Sequence, residues 1–166
     1  MKKSCIFMLV SMVILLSGCN NHKYDTWTTV TMENCGTIKF PGEWEIKEKD
    51  GFYIVSEKES DKVKFIGCER YNYDETDTFN FSVGDYSISV KPCVPETSTS
   101  EVFSNSAIWG EQPITCNGEE IEKTYYILLS DGESERIIEY ICVDKTDIDD
   151  ELVADIAKSY EMETHE

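Results

Sequence analysis

The sequence predicts an α+β fold: a curved antiparallel β-sheet of about six to eight strands, with a C-terminal amphipathic helix packed on one face. Three observations carry this. From Trp27 onward, short runs of β-branched and aromatic residues alternate with turn-forming residues. Two longer segments, FYIVSEKESDKVKFIGC (52–68) and YYILLSDGESERIIEYIC (125–142), each run from aromatic and apolar residues through an acidic turn to an apolar stretch ending in Cys. Near the end, Ile148, Leu152, Val153, Ile156, Ala157 and Tyr160 recur at helical spacing with polar residues between them.

The chain opens differently. Lys2 and Lys3 precede an apolar run from Cys5 to Leu16, which ends in the small residues Ser17 and Gly18 just before Cys19. A spanning helix needs about 20 apolar residues, more than this run supplies. A basic start, an apolar stretch and a small-residue cleavage site read instead as an export signal. Leu16-Ser17-Gly18-Cys19 resembles the lipobox of bacterial lipoproteins. That resemblance implies cleavage after Gly18 and a diacylglycerol on the Cys19 thiol. It also implies an extracytoplasmic protein anchored to the bacterial cell membrane through the lipid on Cys19. One fatty chain binds a membrane reversibly, whereas two or three hold firmly. The expected organisation is a signal peptide at 1–18, a short tether at 19–25 and a single α+β domain at 26–166.

The whole chain carries 33 acidic against 15 basic residues, a net charge of −18. Losing residues 1–18 removes two lysines and no acid, so the mature chain is more acidic still. Such a surface excludes nucleic acid as a partner, because phosphate binding needs positive charge. It is also repelled by anionic headgroups, so the domain stands on its lipid without lying flat. Cys35, Cys68, Cys93, Cys116 and Cys142 form an odd set, which leaves at least one free thiol. None shows Cys-x-x-Cys spacing. Disulfides and buried free thiols are both compatible with the pattern.

Along the domain, Thr28, Val30 and Met32 alternate with Trp27, Thr29 and Thr31, and GTIKF (36–40) follows as a second strand. Pro41-Gly42 reads as a turn in which Pro presets φ and Gly supplies a positive φ, leading into Glu43 to Ile46. The two long segments read as hairpins. FNFSVGDYSISVKP (79–92) alternates as a strand pair around Gly84-Asp85, and PETSTSEVFSNS (95–106) reads as a loop. The final helix starts after the acidic run DKTDIDDE (144–151). Thr146 or Asp147 is expected to cap it, with Asp149, Asp150 and Glu151 in the first turn against the positive end of the dipole.

GTIKFPGEWEI (36–46) near the start, together with DDELVADIAKSYEM (149–162) at the end, resembles the PsbP-like family. The resemblance implies an early strand ending in a Pro-Gly-Trp turn, a terminal helix on an antiparallel sheet, and a role as a binding or assembly subunit. Residues 69–106 depart from it, since they read as strands and loops where the family pattern has helix.

Little catalytic chemistry is legible. Beyond the signal, the histidines are His22 in the tether and His165 next to the last residue, poor places for a nucleophile's base or a zinc ligand. There is no phosphate-cradling glycine loop or dinucleotide fingerprint. The two arginines, Arg70 and Arg136, do not suggest an anion clamp. No catalytic residue, metal or cofactor is expected. Tyr71, Tyr73, Phe79, Phe81 and Tyr86, interleaved with acids, form a candidate interaction surface, since aromatics favour interfaces, although the same pattern suits the core face of strands. Asp144, Asp147, Asp149 and Glu151 have the oxygen ligands of a cation site, but the run lacks the glycine a calcium loop needs and carries Lys145, so capping is the preferred account. The expected function is that of a non-enzymatic binding or accessory module recognising another envelope protein or a cationic ligand. A lipoprotein binding a small molecule or divalent cation is the alternative, and a carboxylate-based hydrolase is the third.

Overall fold

The computed structural model describes residues 24–33, 35–71, 78–90, 107–130 and 136–162, with the backbone alone described at Tyr71 and Arg136. The signal segment, Cys19, His22, Tyr73, Cys93, the 95–106 segment and His165 lie outside the described residues.

The strands are β1 (Thr28–Met32), β2 (Gly36–Phe40), β3 (Trp44–Lys49), β4 (Phe52–Glu57), β5 (Val63–Tyr71), β6 (Phe79–Val83), β7 (Tyr86–Val90), β8 (Ile108–Cys116), β9 (Glu119–Ser130), β10 (Arg136–Cys142) and β11 (Glu161–Met162). The helix α1 spans Asp150–Lys158. Eight strands form one antiparallel sheet in the order β3-β4-β5-β10-β9-β8-β7-β6, and β1-β2-β11 form a separate small sheet. The expected antiparallel sheet and terminal helix are present, but strands dominate. The small sheet, with β11 paired to β2 at Glu161↔Thr37, is an addition that a two-residue strand could not announce.

Both long hairpins form, and they abut through β5 and β10, where Cys68 stands opposite Glu139 and Cys142 opposite Phe65. The period-2 alternation sorts each strand's side chains to two faces. On β4, Tyr53 and Val55 join Phe40, Trp44, Phe65, Ile127, Leu129 and Tyr140 in the larger core, which the small sheet and the α1 residues Val153 and Ile156 cover. Phe52 and Ile54 point the other way, into a second cluster with Ile66, Ile88, Ile114 and Ile141.

The large sheet curls around that second cluster. Phe52 stacks on Phe81 with ring centroids 5.2 Å apart, although β4 and β6 lie near opposite ends of the sheet. Arg70 of β5 places its guanidinium 4.5 Å from the Phe79 ring centre, also on β6. Arg70 donates to Glu139 Oε2 at 2.6 Å, and Gln112 donates to Glu139 Oε1 at 2.9 Å, so a buried charge is paired and hydrogen-bonded. Pro113 follows Gln112 where the β8–β9 register shifts, the irregular position in which a sheet tolerates proline.

Two local expectations are corrected. The 41–44 turn does close, with Trp44 N–H donating to Pro41 O at 2.9 Å, but Gly42 is not among the positive-φ glycines. Glycine is required there by proximity, because a side chain would run into the Thr26 carbonyl oxygen. The helix cap is Asp149, not Thr146 or Asp147: Asp149 Oδ1 accepts the Leu152 amide at 2.9 Å. Asp147 instead takes φ 62°, a left-handed turn that ends the preceding loop and leaves Asp149 extended in the capping conformation. Asp150 and Glu151 occupy the first turn and Lys158 the last, as the helix dipole favours.

Candidate binding site

A pocket of about 270 Å³ opens where β3, the β4–β5 hairpin, the 146–147 turn and α1 meet. Glu43, Trp44, Glu57, Glu59, Lys64, Asp147 and Leu152 line it, together with Thr146. These residues come from separate stretches, and a bulge brings the central one into place. Val55 pairs with Phe65 and Ser56 with Val63, so Lys64 is the extra residue on β5. Simple alternation would aim Lys64 with Ile66 and Cys68 into the second core. The bulge re-aims it toward the helix side.

The Lys64 side chain is 1% exposed, and its ammonium meets Glu57 Oε1 at 2.8 Å, Asp144 Oδ2 at 3.1 Å and the Thr146 carbonyl at 2.9 Å. An ammonium has three N–H donors. All three have acceptors. Burial works against the charged lysine, yet the hydrogen bonds to Glu57 and Asp144 outweigh it and the pKa is raised. Burial likewise opposes the Asp144 carboxylate, but hydrogen bonds from Lys62, Thr146 and Lys64 hold it well below the usual range. The Lys64 hydrogen bond, helped by Ser60, lowers Glu57 in the same way.

The lysine is therefore the neutralised floor of the pocket. Around it stand Glu43, Glu59 and Asp147, all exposed. Trp44 and Leu152 supply an apolar wall. Carboxylates at the mouth and apolar carbon on the side suit a cationic head on an aliphatic stem.

The acidic run predicted as a helix start divides its labour. Asp144 is committed to Lys62, at 2.8 Å, and to Lys64; Asp149 caps; Glu151 lies exposed in the first turn; Asp147 lines the pocket. Among the described residues, no group of three or more His, Cys, Asp and Glu is disposed to hold a metal ion.

Three of the candidate aromatic residues share one cluster. Phe79, Phe81 and Tyr86 are half-buried and pack on the second core from β6 and β7. Tyr71 ends β5 opposite Arg136, and Tyr73 is outside the described residues. Among the described residues, Cys68, Cys116 and Cys142 are free thiols. Burial pushes Cys68 and Cys142 up, the latter to about 11, so neither is a thiolate at neutral pH.

The pocket residues Lys64, Glu57, Glu43, Glu59 and Trp44 were legible in the sequence as turn and strand residues and not as a site. One signal was available: a lysine inside the apolar run VKFIGC, where a strand buried on both faces has no ordinary place for a charge.

No family model, curated protein or solved structure matches the chain.

Proposed function

We propose that this protein is a lipid-anchored, extracytoplasmic binding or accessory module, without enzymatic activity, that takes a cationic group of another envelope protein into the Lys64 pocket. The observation that carries this reading is the lining: four carboxylates, Glu43, Glu57, Glu59 and Asp147, share it with one ammonium whose donors already have acceptors. A lysine or arginine side chain fits its size and polarity, with methylenes along Trp44 and Leu152 and the charge among Glu43, Glu59 and Asp147. Placement at the membrane rests on Leu16 to Cys19, and a PsbP-like binding subunit would accord with the same role.

The test has two arms. Photo-crosslinking from position 59 in the native envelope should capture a discrete protein, and Glu43→Gln with Asp147→Asn should abolish capture without lowering the melting temperature. Unchanged capture in that double variant would remove the pocket from the account. Cys19→Ala should lose fatty-acid label and membrane retention; if it labels and fractionates like wild type, the anchor assignment is wrong.

A further inference from the structure

We propose that the outer edge of β6 accepts an extended basic segment of a partner protein as an added strand. This goes beyond the Lys64 pocket, which lies beside the opposite terminal strand, and neither site needs the other.

Among the described residues, β6 ends the large sheet and pairs with β7 alone. A sheet edge is a template for pairing unless charge, proline, a bulge or a covering element blunts it. β3, the other terminal strand, is blunted: WEIKEK carries four charges in six residues, and Thr28 Oγ1 from β1 donates to the Trp44 carbonyl. Among the described residues, β6 carries no charge, proline or bulge of this kind. FNFSV contains no charge and no proline, and its pairing runs without a register shift from Phe79↔Val90 to Val83↔Tyr86. In a chain of net charge −18, the whole stretch 79–90 carries one charged residue, Asp85, and that sits in the turn.

The geometry specifies the strand that would fit. Val83↔Tyr86 closes a two-residue turn, so alternation along an antiparallel ladder leaves the N–H and C=O groups of Asn80 and Ser82 on the outer edge. A strand added there would extend two rows. Its inner row would continue Phe79, Phe81 and Val83, which belong to the second core, so apolar side chains suit it. Its outer row would join Asn80 and Ser82 beside a groove of about 360 Å³ that Ser87, Ser89 and Thr115 also line. Polar or basic side chains suit that row.

Charge decides between occupants. A second copy would bring another −18 to the same edge, and like charge on that scale opposes association. A basic partner is drawn to the acidic body and docks on its uncharged strip, complementarity that raises the encounter rate and rejects acidic competitors.

The test uses the full chain in detergent and a labelled peptide of alternating Lys and Val. The expected result is saturable binding, with hydrogen exchange at the Asn80 and Ser82 amides slowed tenfold or more. A peptide of the same charge, N-methylated along one edge, should bind at least tenfold more weakly. Ser82→Pro removes an outward N–H at an edge position that tolerates proline, and should weaken the unmodified peptide as much. If that variant does not fold, the N-methylated peptide probes the same bonds with the protein unaltered. No binding, equal binding of the N-methylated peptide, or unchanged exchange in β6 would overturn the proposal. So would dimerisation of the chain through β6 in sedimentation.

Discussion

The ammonium of Lys64 lies 2.8 Å from the Glu57 carboxylate and 3.1 Å from that of Asp144, making one buried lysine the joint between the β4–β5 hairpin and the loop before α1. Removing the lysine leaves its two acids facing each other. Lys64→Met should destabilise the fold toward the low end of the roughly 3–5 kcal/mol typical of a broken buried pair. The low end applies because Glu57 and Asp144 keep 31% and 21% exposure. Urea unfolding at neutral pH measures it; a change under about 0.5 kcal/mol, as for an ordinary surface position, would contradict the account.

The same cluster sets a pH dependence. Asp144 and Glu57 have lowered pKa values in the folded state, so their contribution is full above the unfolded carboxylate values of about 4 and is lost as pH falls below them. Lys64, with its pKa raised, contributes fully below about 10.4 and loses its contribution as pH rises through the folded value. Stability measured from pH 6 down to pH 3 should therefore drop, and the drop should be smaller in Asp144→Asn. Equal drops in both proteins would show that Asp144 is not a source of the acid sensitivity.

Asp149→Ala should cost about 1 kcal/mol by removing the cap on the Leu152 amide. Asp147→Gly should cost nothing or stabilise slightly, because glycine takes φ 62° more readily than aspartate does. Thermal unfolding of the two variants side by side distinguishes them. The reverse ranking would restore Asp147 as the cap.

Gly42→Ala should destabilise by about 1–3 kcal/mol, the usual penalty for forcing atoms into filled space. Its side chain would meet the Thr26 carbonyl, a backbone atom that cannot rotate away. At Gly51, where φ is 82° but no atom stands within 4 Å, alanine meets conformational strain alone. Comparing the two separates crowding from torsion, and a harmless Gly42→Ala would refute the crowding.

Much of this architecture is legible locally. Alternation in FNFSV and YSISV, the Gly84-Asp85 turn, and the apolar stripe of Leu152, Val153 and Ile156 are properties of neighbouring residues, and the structure contains each. What escaped reading depends on distant partners. Lys64 changes face through a bulge that is visible only once β5 has paired with β4. The core face expected as one option for Phe79 and Phe81 gains its partners, Phe52 and Arg70, only when the sheet curls. The pocket combines residues 43–44, 57–64 and 146–152, which no window of sequence holds together.

The small sheet carries a consequence for how the chain matures. Its middle strand β2 lies between β1 and β11, and the fastening is strengthened by Lys39 N–H donating to Ser159 Oγ at 2.9 Å and Tyr160 O–H to the Cys35 carbonyl at 2.6 Å. Ser159 to Met162, made long after β1 and β2, thus complete the first structure the domain began. Until they emerge, β2 has an unsatisfied edge, and the larger core lacks the helix side chains that cover it. Contacts of such long sequence separation are slow to form. A chain truncated or stalled before Asp150 should stay open and protease-sensitive however much of the large sheet it contains, which makes residues 150–162 the timer for the native state.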